Sequence, residues 1–518
     1  MRYLLYLFLV IGICCKNTET NSNTSIQTTL SEDQNYDQPY RPQFHFSPPS
    51  KWMNDPNGLV YHQGIYHLFY QYYPDDIVWG PMHWGHAVSK DLIKWEHKPI
   101  ALYPDDLGYI FSGSAVVDLE NTSGFGTKEN PPLVAIYTYH SIEGEKSGRL
   151  DFQTQGIAYS LDNGDRWEKY EGNPVIGNTN IKDFRDPKVA WDQESAQWIM
   201  TLVAGDHAKF YSSKDLKSWE LLSEFGKNEG AHGGVWECPD LFELQVVGSK
   251  EIKHVLLISI NPGAPNGGSG TQYFLGDFDG KQFTTDHTEA KWIDWGRDNY
   301  AGVTYNNTPE DERIFIGWMS NWDYAQKTPT EVWRSAMTLP RTMSLHQEGN
   351  SYFLKSYPLD AISSISSEAL VHDAIQLSAP FNISNDSLST SDIKFQANLS
   401  EALEVTLGND LGESAVFSIA PKQEELQFDR RKSGRISFEE RFAGDLQTQP
   451  YKPKNELAEV RIIVDASSIE IFVEGGRYIF TNQFFPEKPY NQLLISGEEN
   501  ATLKNFSIHT LTSIWKHE

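Results

Sequence analysis

The chain has 518 residues, 39% of them hydrophobic and 13% aromatic, enough for two or three domains with a large core. Its 70 acidic residues against 43 basic ones give a formal net charge of −27, which argues against nucleic acid and anionic membrane surfaces as partners and does not repel a neutral polysaccharide. The 15 Trp and 25 Tyr exceed what packing alone asks for; such faces stack on the C–H bonds of sugar rings and also suit an aromatic-rich all-β core.

At the amino end, Met1-Arg2 leads into an apolar run from Leu4 to Ile13. The run is too short to span a bilayer as a mature helix and reads as a secretory signal over residues 1–15. Cys14 and Cys15 close it, and a polar, Asn/Thr/Ser-rich tether follows over 16–40. This arrangement resembles a bacterial lipoprotein signal, with one of the two cysteines acylated. It makes the expected location periplasmic or cell-surface, with the membrane a partner only through that anchor. Only Cys238 remains beyond it, so the mature chain can form no internal disulfide.

From Phe44 to Gln71 the sequence is dense in signals. Asn54, Asp55, Pro56, Asn57 and Gly58 all favour bends. Gly58–Tyr61 and Tyr66–Tyr70 read as two strands joined by a turn at His62-Gln63-Gly64. Asp55 is therefore expected on a rigid corner beside amides and an indole.

Over residues 41–350 short alternating strands and turns continue without long amphipathic helices. One signature recurs: Ser89-Lys90-Asp91 leading to Trp95-Glu96, Ser160-Leu161-Asp162 leading to Trp167-Glu168, and Ser213-Lys214-Asp215 leading to Trp219-Glu220. A degenerate copy spans Gly276–Phe283. Repeats of this length, each with room for several strands, indicate propeller blades. Four copies plus the stretch from Tyr300 to Leu345 predict five. Residues 351–365 read as a linker, and 366–518 alternate apolar and polar positions without the blade signature, as in a β-sandwich. The expected fold is all-β: a five-bladed propeller followed by a C-terminal β-sandwich.

Two further acidic motifs lie near the starts of other blades: Arg185-Asp186-Pro187, and Glu237 within Trp236-Glu237-Cys238-Pro239-Asp240. Together with Trp52-Met53-Asn54-Asp55-Pro56-Asn57-Gly58, in this order on a repeat, they resemble glycoside hydrolase family 32, the β-fructosidases. The similarity runs from about Arg41 to the end and is greatest in the propeller, on the exo-acting inulinase and levanase side. It implies Asp55 as nucleophile, Asp186 as transition-state stabiliser and Glu237 as acid/base. It also implies Asn54, Gln71, Trp79, Phe111, Ser112, Arg185 and Trp322 around a terminal fructose. The chemistry fits the residue types: cleaving a fructosidic bond builds positive charge at the anomeric carbon, which one carboxylate can trap while an acid protonates the leaving oxygen. Trp236 and Cys238 are expected to give Glu237 a low-polarity wall, and Arg185 to keep Asp186 ionised.

His83, His86, His207 and His232 lack metal-ligand spacing, so neither metal nor other cofactor is expected. The leading reading is a retaining exo-β-fructofuranosidase acting on levan, inulin or sucrose. Its alternatives are a fructosyltransferase of the same fold and an inactive fructan-binding protein, the latter disfavoured by three intact carboxylates. Linkage preference and oligomeric state are not legible.

Overall fold

The computed structural model describes residues 36–499 and 501–515. Cys14, Cys15 and the tether as far as residue 35 lie outside the described residues. The end of the expected tether is already packed: the Tyr36 ring stacks on Trp515 at 4.1 Å, and its hydroxyl pairs with His97 Nε2 at 2.7 Å.

The regular structure of the described residues is almost entirely strand. Five sheets, antiparallel except where Lys51–His62 also pairs in parallel with Trp333–Arg334, follow one another along the chain, and each is led by a strand that runs through the centre: Lys51–His62, Tyr109–Val117, Phe184–Asp192, Val235–Gln245 and Tyr300–Thr304. These five strands pack against one another in a ring, the centre of a five-bladed propeller. The ring is tied where its ends meet: the Tyr61 N–H donates to the Asn306 carbonyl at 3.0 Å, and the Asn306 N–H donates to the Leu59 carbonyl at 2.9 Å.

The repeated signature has a mechanical role. In each of the first three blades it forms the turn between the third and fourth strands. The Asp carboxylate accepts backbone N–H groups of the turn, as Asp91 does from Ile93 and Lys94 at 2.9 and 2.8 Å, and Asp215 from Lys217 and Ser218 at 2.9 and 2.7 Å. The following Trp seals it, Trp219 Nε1 donating to the Leu216 carbonyl at 3.0 Å.

Two local expectations are corrected. Residues 351–365 are not a linker along their length: Ser351–Pro358 pairs residue for residue with Arg341–Glu348 as the outermost strand of the fifth blade, and only Asp360–Ile365 is a 3₁₀ turn. Leu354, Ser356 and Pro358 face inward on alternate positions, a period hidden by the serine and proline among them. Likewise Asn54-Asp55-Pro56 does not form a corner between strands. It lies inside the long strand Lys51–His62, which pairs with Ile65–Tyr73 through a bulge between Met53 and Pro56. Gly58 has φ +54°, and a Cβ there would meet Phe69 Cδ2 at 2.6 Å, so the second bend of this strand admits only glycine.

Beyond residue 365, two six-stranded antiparallel sheets close over Ile393, Val460, Ile462, Ile471, Phe480 and Leu493. A buried polar network joins sandwich to propeller. Arg341 of the fifth blade donates to Glu470 at 2.7 Å, to Thr481 at 2.6 Å and to Asp294 at 3.1 Å. His45 lies between Asp465 at 2.8 Å and Glu470 at 2.9 Å. Burial alone would lower the His45 pKa, but hydrogen bonds to the two carboxylates overturn that and lift it to about 9. Burial would raise Glu470, but the charges of Arg341 and His45 hold it down at about 2.

Candidate active site

The leading strands share an irregularity that the ladders of the outer strands mostly lack. Each breaks register near its beginning: between Met53 and Pro56, Ile110 and Gly113, Arg185 and Lys188, Glu237 and Asp240, and Tyr300 and Val303. A bulge re-aims the side chains beside it. Three of the bulges hold residues in the left-handed region, Asp186 at φ 64°, Cys238 at φ 45° and Ala301 at φ 54°. All five fall at the same end of the ring, where they open a cavity of about 260 Å³.

All ten residues expected to catalyse or to bind substrate line this cavity: Asn54, Asp55, Gln71, Trp79, Phe111, Ser112, Arg185, Asp186, Glu237 and Trp322. Asp55 accepts from the Ser112 hydroxyl at 2.7 Å and from the Asn54 amide at 3.0 Å, and Asn54 is itself fixed by Trp52 Nε1 at 2.7 Å. Asp186 accepts from the Cys238 N–H at 3.0 Å, while its own N–H donates to Thr138 at 2.9 Å. Glu237 is gripped at both oxygens: Arg185 donates to Oε1 at 2.9 Å, and the Tyr300 hydroxyl donates to Oε2. Trp79 meets Phe111 edge-on at 6.1 Å, and Trp322 packs on Trp318 at 5.0 Å, giving the cavity two aromatic walls. The amide nitrogen of Gln71 is buried in the lining without a hydrogen-bond partner, a donor held ready for a ligand oxygen.

Crowding the carboxylates has an electrostatic cost. Burial raises the Asp55 pKa, and the charge of Glu237 raises it further, against the hydrogen bonds from Ser112 and Asn54. Asp186 is pushed up to about 7, chiefly by burial; Arg185 opposes this, and Glu237 and Asp55 add to it. The cluster thus retains a proton near neutrality.

Of two expectations about neighbours, one holds in direction only and one fails. Arg185, 3.9 Å from Asp186, does favour its ionised form but does not offset its burial, and its closest partners are Asp183 at 2.8 Å and Glu237 at 2.9 Å. Trp236 and Cys238 do not wall Glu237. Successive side chains of a strand face opposite ways, so Trp236 points into the core between blades and donates to the Ala231 carbonyl at 2.9 Å. Cys238 lies on the bulge, its thiol 3.6 Å from Asp55 and 3.7 Å from Asp186.

Sequence reasoning missed Tyr300, Asp183, His140 and Gln153. Asp183 stands in a left-handed bend, φ 57°, just ahead of the strand, and that bend brings its carboxylate to Arg185 at 2.8 Å. Tyr300 opens the fifth blade, in the place that carries a site residue in the other blades. His140 stacks on Phe111 at 4.2 Å and accepts from Gln153 at 3.2 Å, contacts made across a sheet that no local motif marks.

A propeller with three convergent carboxylates and a sandwich behind it places the chain in a known class, and it belongs to glycoside hydrolase family 32. Residues 45–358 match the description "Glycosyl hydrolases family 32 N-terminal domain", and 355–510 match "Glycosyl hydrolases family 32 C terminal". The chain is similar to a levanase of Bacillus subtilis, 44% identical across 93% of this chain and 72% of that protein. It is also similar to an extracellular exo-inulinase of Aspergillus niger, 41% identical across 93% of this chain and 96% of the other. Among solved structures, an exo-inulinase from Aspergillus awamori superposes with a TM-score of 0.84 at 38% identity, covering 93% of this chain and all of that one. A β-fructofuranosidase from Schwanniomyces occidentalis complexed with fructosyl-erythritol gives 0.83 at 32%, covering 92% and 99%.

Proposed function

We propose that this enzyme removes terminal fructose from levan, inulin or sucrose by double displacement with retention. The observation that carries the reading is the convergence of Asp55, Asp186 and Glu237, from three different leading strands, on one small aromatic-walled cavity.

Glu237, in its acid form, gives its proton to the glycosidic oxygen, and the leaving sugar departs. Asp55 forms a bond to the anomeric carbon, its second oxygen held by Ser112 or Asn54. Water then enters, Glu237 takes its proton, and the hydroxide displaces Asp55, so two inversions restore the starting configuration. Asp186 accepts hydrogen bonds from fructose hydroxyls that strengthen as positive charge develops. Arg185 and Tyr300 hold Glu237 in place through both steps. Gln71, Trp79 and Trp322 close around one furanose ring, so the chain end enters and the interior of a polymer does not.

The amino-terminal reading belongs with this function: secretion, with Cys14 or Cys15 acylated, would hold the enzyme at the cell surface beside its polymer. Following products over time from levan, inulin and sucrose tests the proposal. Fructose should dominate from the first minutes, whereas early accumulation of longer oligosaccharides would overturn the exo assignment.

A further inference from the structure

The propeller has a second concave face that the chemistry above does not use. Asp186 sits near the start of the leading strand Phe184–Asp192, and Trp191 near its end. Five residues of strand separate them by ~16 Å, so Trp191 belongs to the opposite mouth of the ring. Two adjoining cavities, of about 530 and 660 Å³, open there, and both are lined by Trp191, Gln193, Asn306, Asp311 and Arg313.

Trp191 is 37% exposed, an unusual state for an indole among buried neighbours. It is also held still. Its Nε1 donates to Gln193 at 3.1 Å, and Trp198 backs it edge-on at 5.1 Å, itself fixed by a 2.8 Å hydrogen bond to Thr122. Polar atoms without partners line the same place. Asp240 is fully buried beneath the larger cavity; its Oδ2 is taken by Thr304 at 2.6 and 2.8 Å and pairs with Lys188 at 3.3 Å, and its Oδ1 has no hydrogen-bond partner. Arg313 Nε, in the wall common to both cavities, is likewise buried and unpaired.

A rigid, exposed indole in the wall of a polar-lined concavity matches a sugar, which offers C–H bonds to the ring and hydroxyls to the polar groups around it. The two cavities are lined by the exposed acids Glu120, Glu194, Glu310 and Asp311 against Arg313 and a Lys188 already paired with Asp240, so an anionic ligand is disfavoured. We infer that this far mouth is a second, non-catalytic binding site for the neutral fructan chain, which would keep a long polymer near the enzyme while its end is trimmed at the other mouth. The inference rests on the substrate class proposed above. Holding one molecule at two points raises its effective concentration without changing chemistry at either.

Native electrophoresis through gels carrying levan, inulin or, as a control, dextran tests it, using Glu237→Gln protein so that the polymer is not consumed. Levan or inulin should retard this protein and dextran should not. Adding Trp191→Ala should weaken the retardation roughly five- to tenfold, as for loss of one aromatic contact, and Trp191→Phe should restore most of it. In the otherwise unaltered enzyme, Trp191→Ala should raise KM for polymer and leave sucrose kinetics unchanged. Equal retardation of the Trp191→Ala protein, equal retardation by dextran, or a parallel loss of sucrose hydrolysis would each overturn the inference. If the unaltered enzyme releases no fructose from any substrate, the active-site reading fails instead, and the far mouth is judged by retardation alone.

Discussion

Asp186→Asn should make this enzyme more stable and nearly inactive. The substitution keeps the shape and an acceptor for the Cys238 N–H, and removes the charge. The folded protein raises this carboxyl from 3.8 to about 7, mainly through burial. Native Asp186 therefore keeps a proton that the unfolded chain releases, and stability falls as pH rises from about 4 to about 7, then levels. At 1.36 kcal/mol per pH unit, ionised Asp186 costs the folded state up to ~4 kcal/mol. The Asn variant carries no such cost. Urea unfolding of the two proteins should give near-equal stability at pH 4 and an advantage of a few kcal/mol to the variant at pH 7.5. If Asp186 acts mainly as charge develops, kcat should fall by about 10²–10³ with little change in KM. A variant no more stable at pH 7.5 than the parent would refute the electrostatic account, and a raised KM with intact kcat would make Asp186 a ground-state binder.

Azide separates the two remaining carboxylates: with Glu237→Ala it should yield a fructosyl azide of retained configuration from an activated aryl substrate, and with Asp55→Ala any azide product should be inverted. Swapped configurations by NMR would reverse the two roles. His45, lifted to about 9 from an ordinary 6.5, supplies stability that is complete below pH 6.5 and is lost as pH rises through 9, by about 3 kcal/mol. His45→Gln should be less stable at pH 6 and lack that slope in denaturation curves taken from pH 6 to 10. Replacing both Cys14 and Cys15 by Ser should release the enzyme from the membrane fraction, and an unaltered enzyme already found free after secretion would end the anchor proposal.

The propeller was legible because its outer turns are local. A Ser, an Asp two residues on and a Trp write a turn that needs no partner from elsewhere, and they recur in register with the blades. The three carboxylates were legible because each sits in a compact motif. The bulges were not, since a bulge is a relation between two strands and leaves only bend-forming residues such as Asn54 and Pro56 as its trace, read here as a corner. The neighbours of Glu237 were misjudged on the same account. Adjacency in sequence suggested Trp236 as a wall, whereas alternation sends it to the opposite face and a distant Tyr300 arrives instead. Contacts such as His140 on Phe111 depend on how sheets pack, and no single segment records them.

The polar network around Arg341 makes the sandwich something other than a detachable accessory. His45 precedes the first blade, Arg341 lies in the fifth, and Asp465, Glu470 and Thr481 come from the sandwich, so neither half holds a neutral set of partners by itself. A chain ended at Pro358 would strand Arg341 with Asp294 alone and leave His45 with neither of its carboxylates, and a stranded buried charge costs about 3–5 kcal/mol. Melting should therefore follow a single calorimetric transition rather than two. A hybrid enzyme built by exchanging sandwiches between relatives would inherit this constraint: its donor must bring acids at the positions of Asp465 and Glu470, or the catalytic half loses its footing along with its tail.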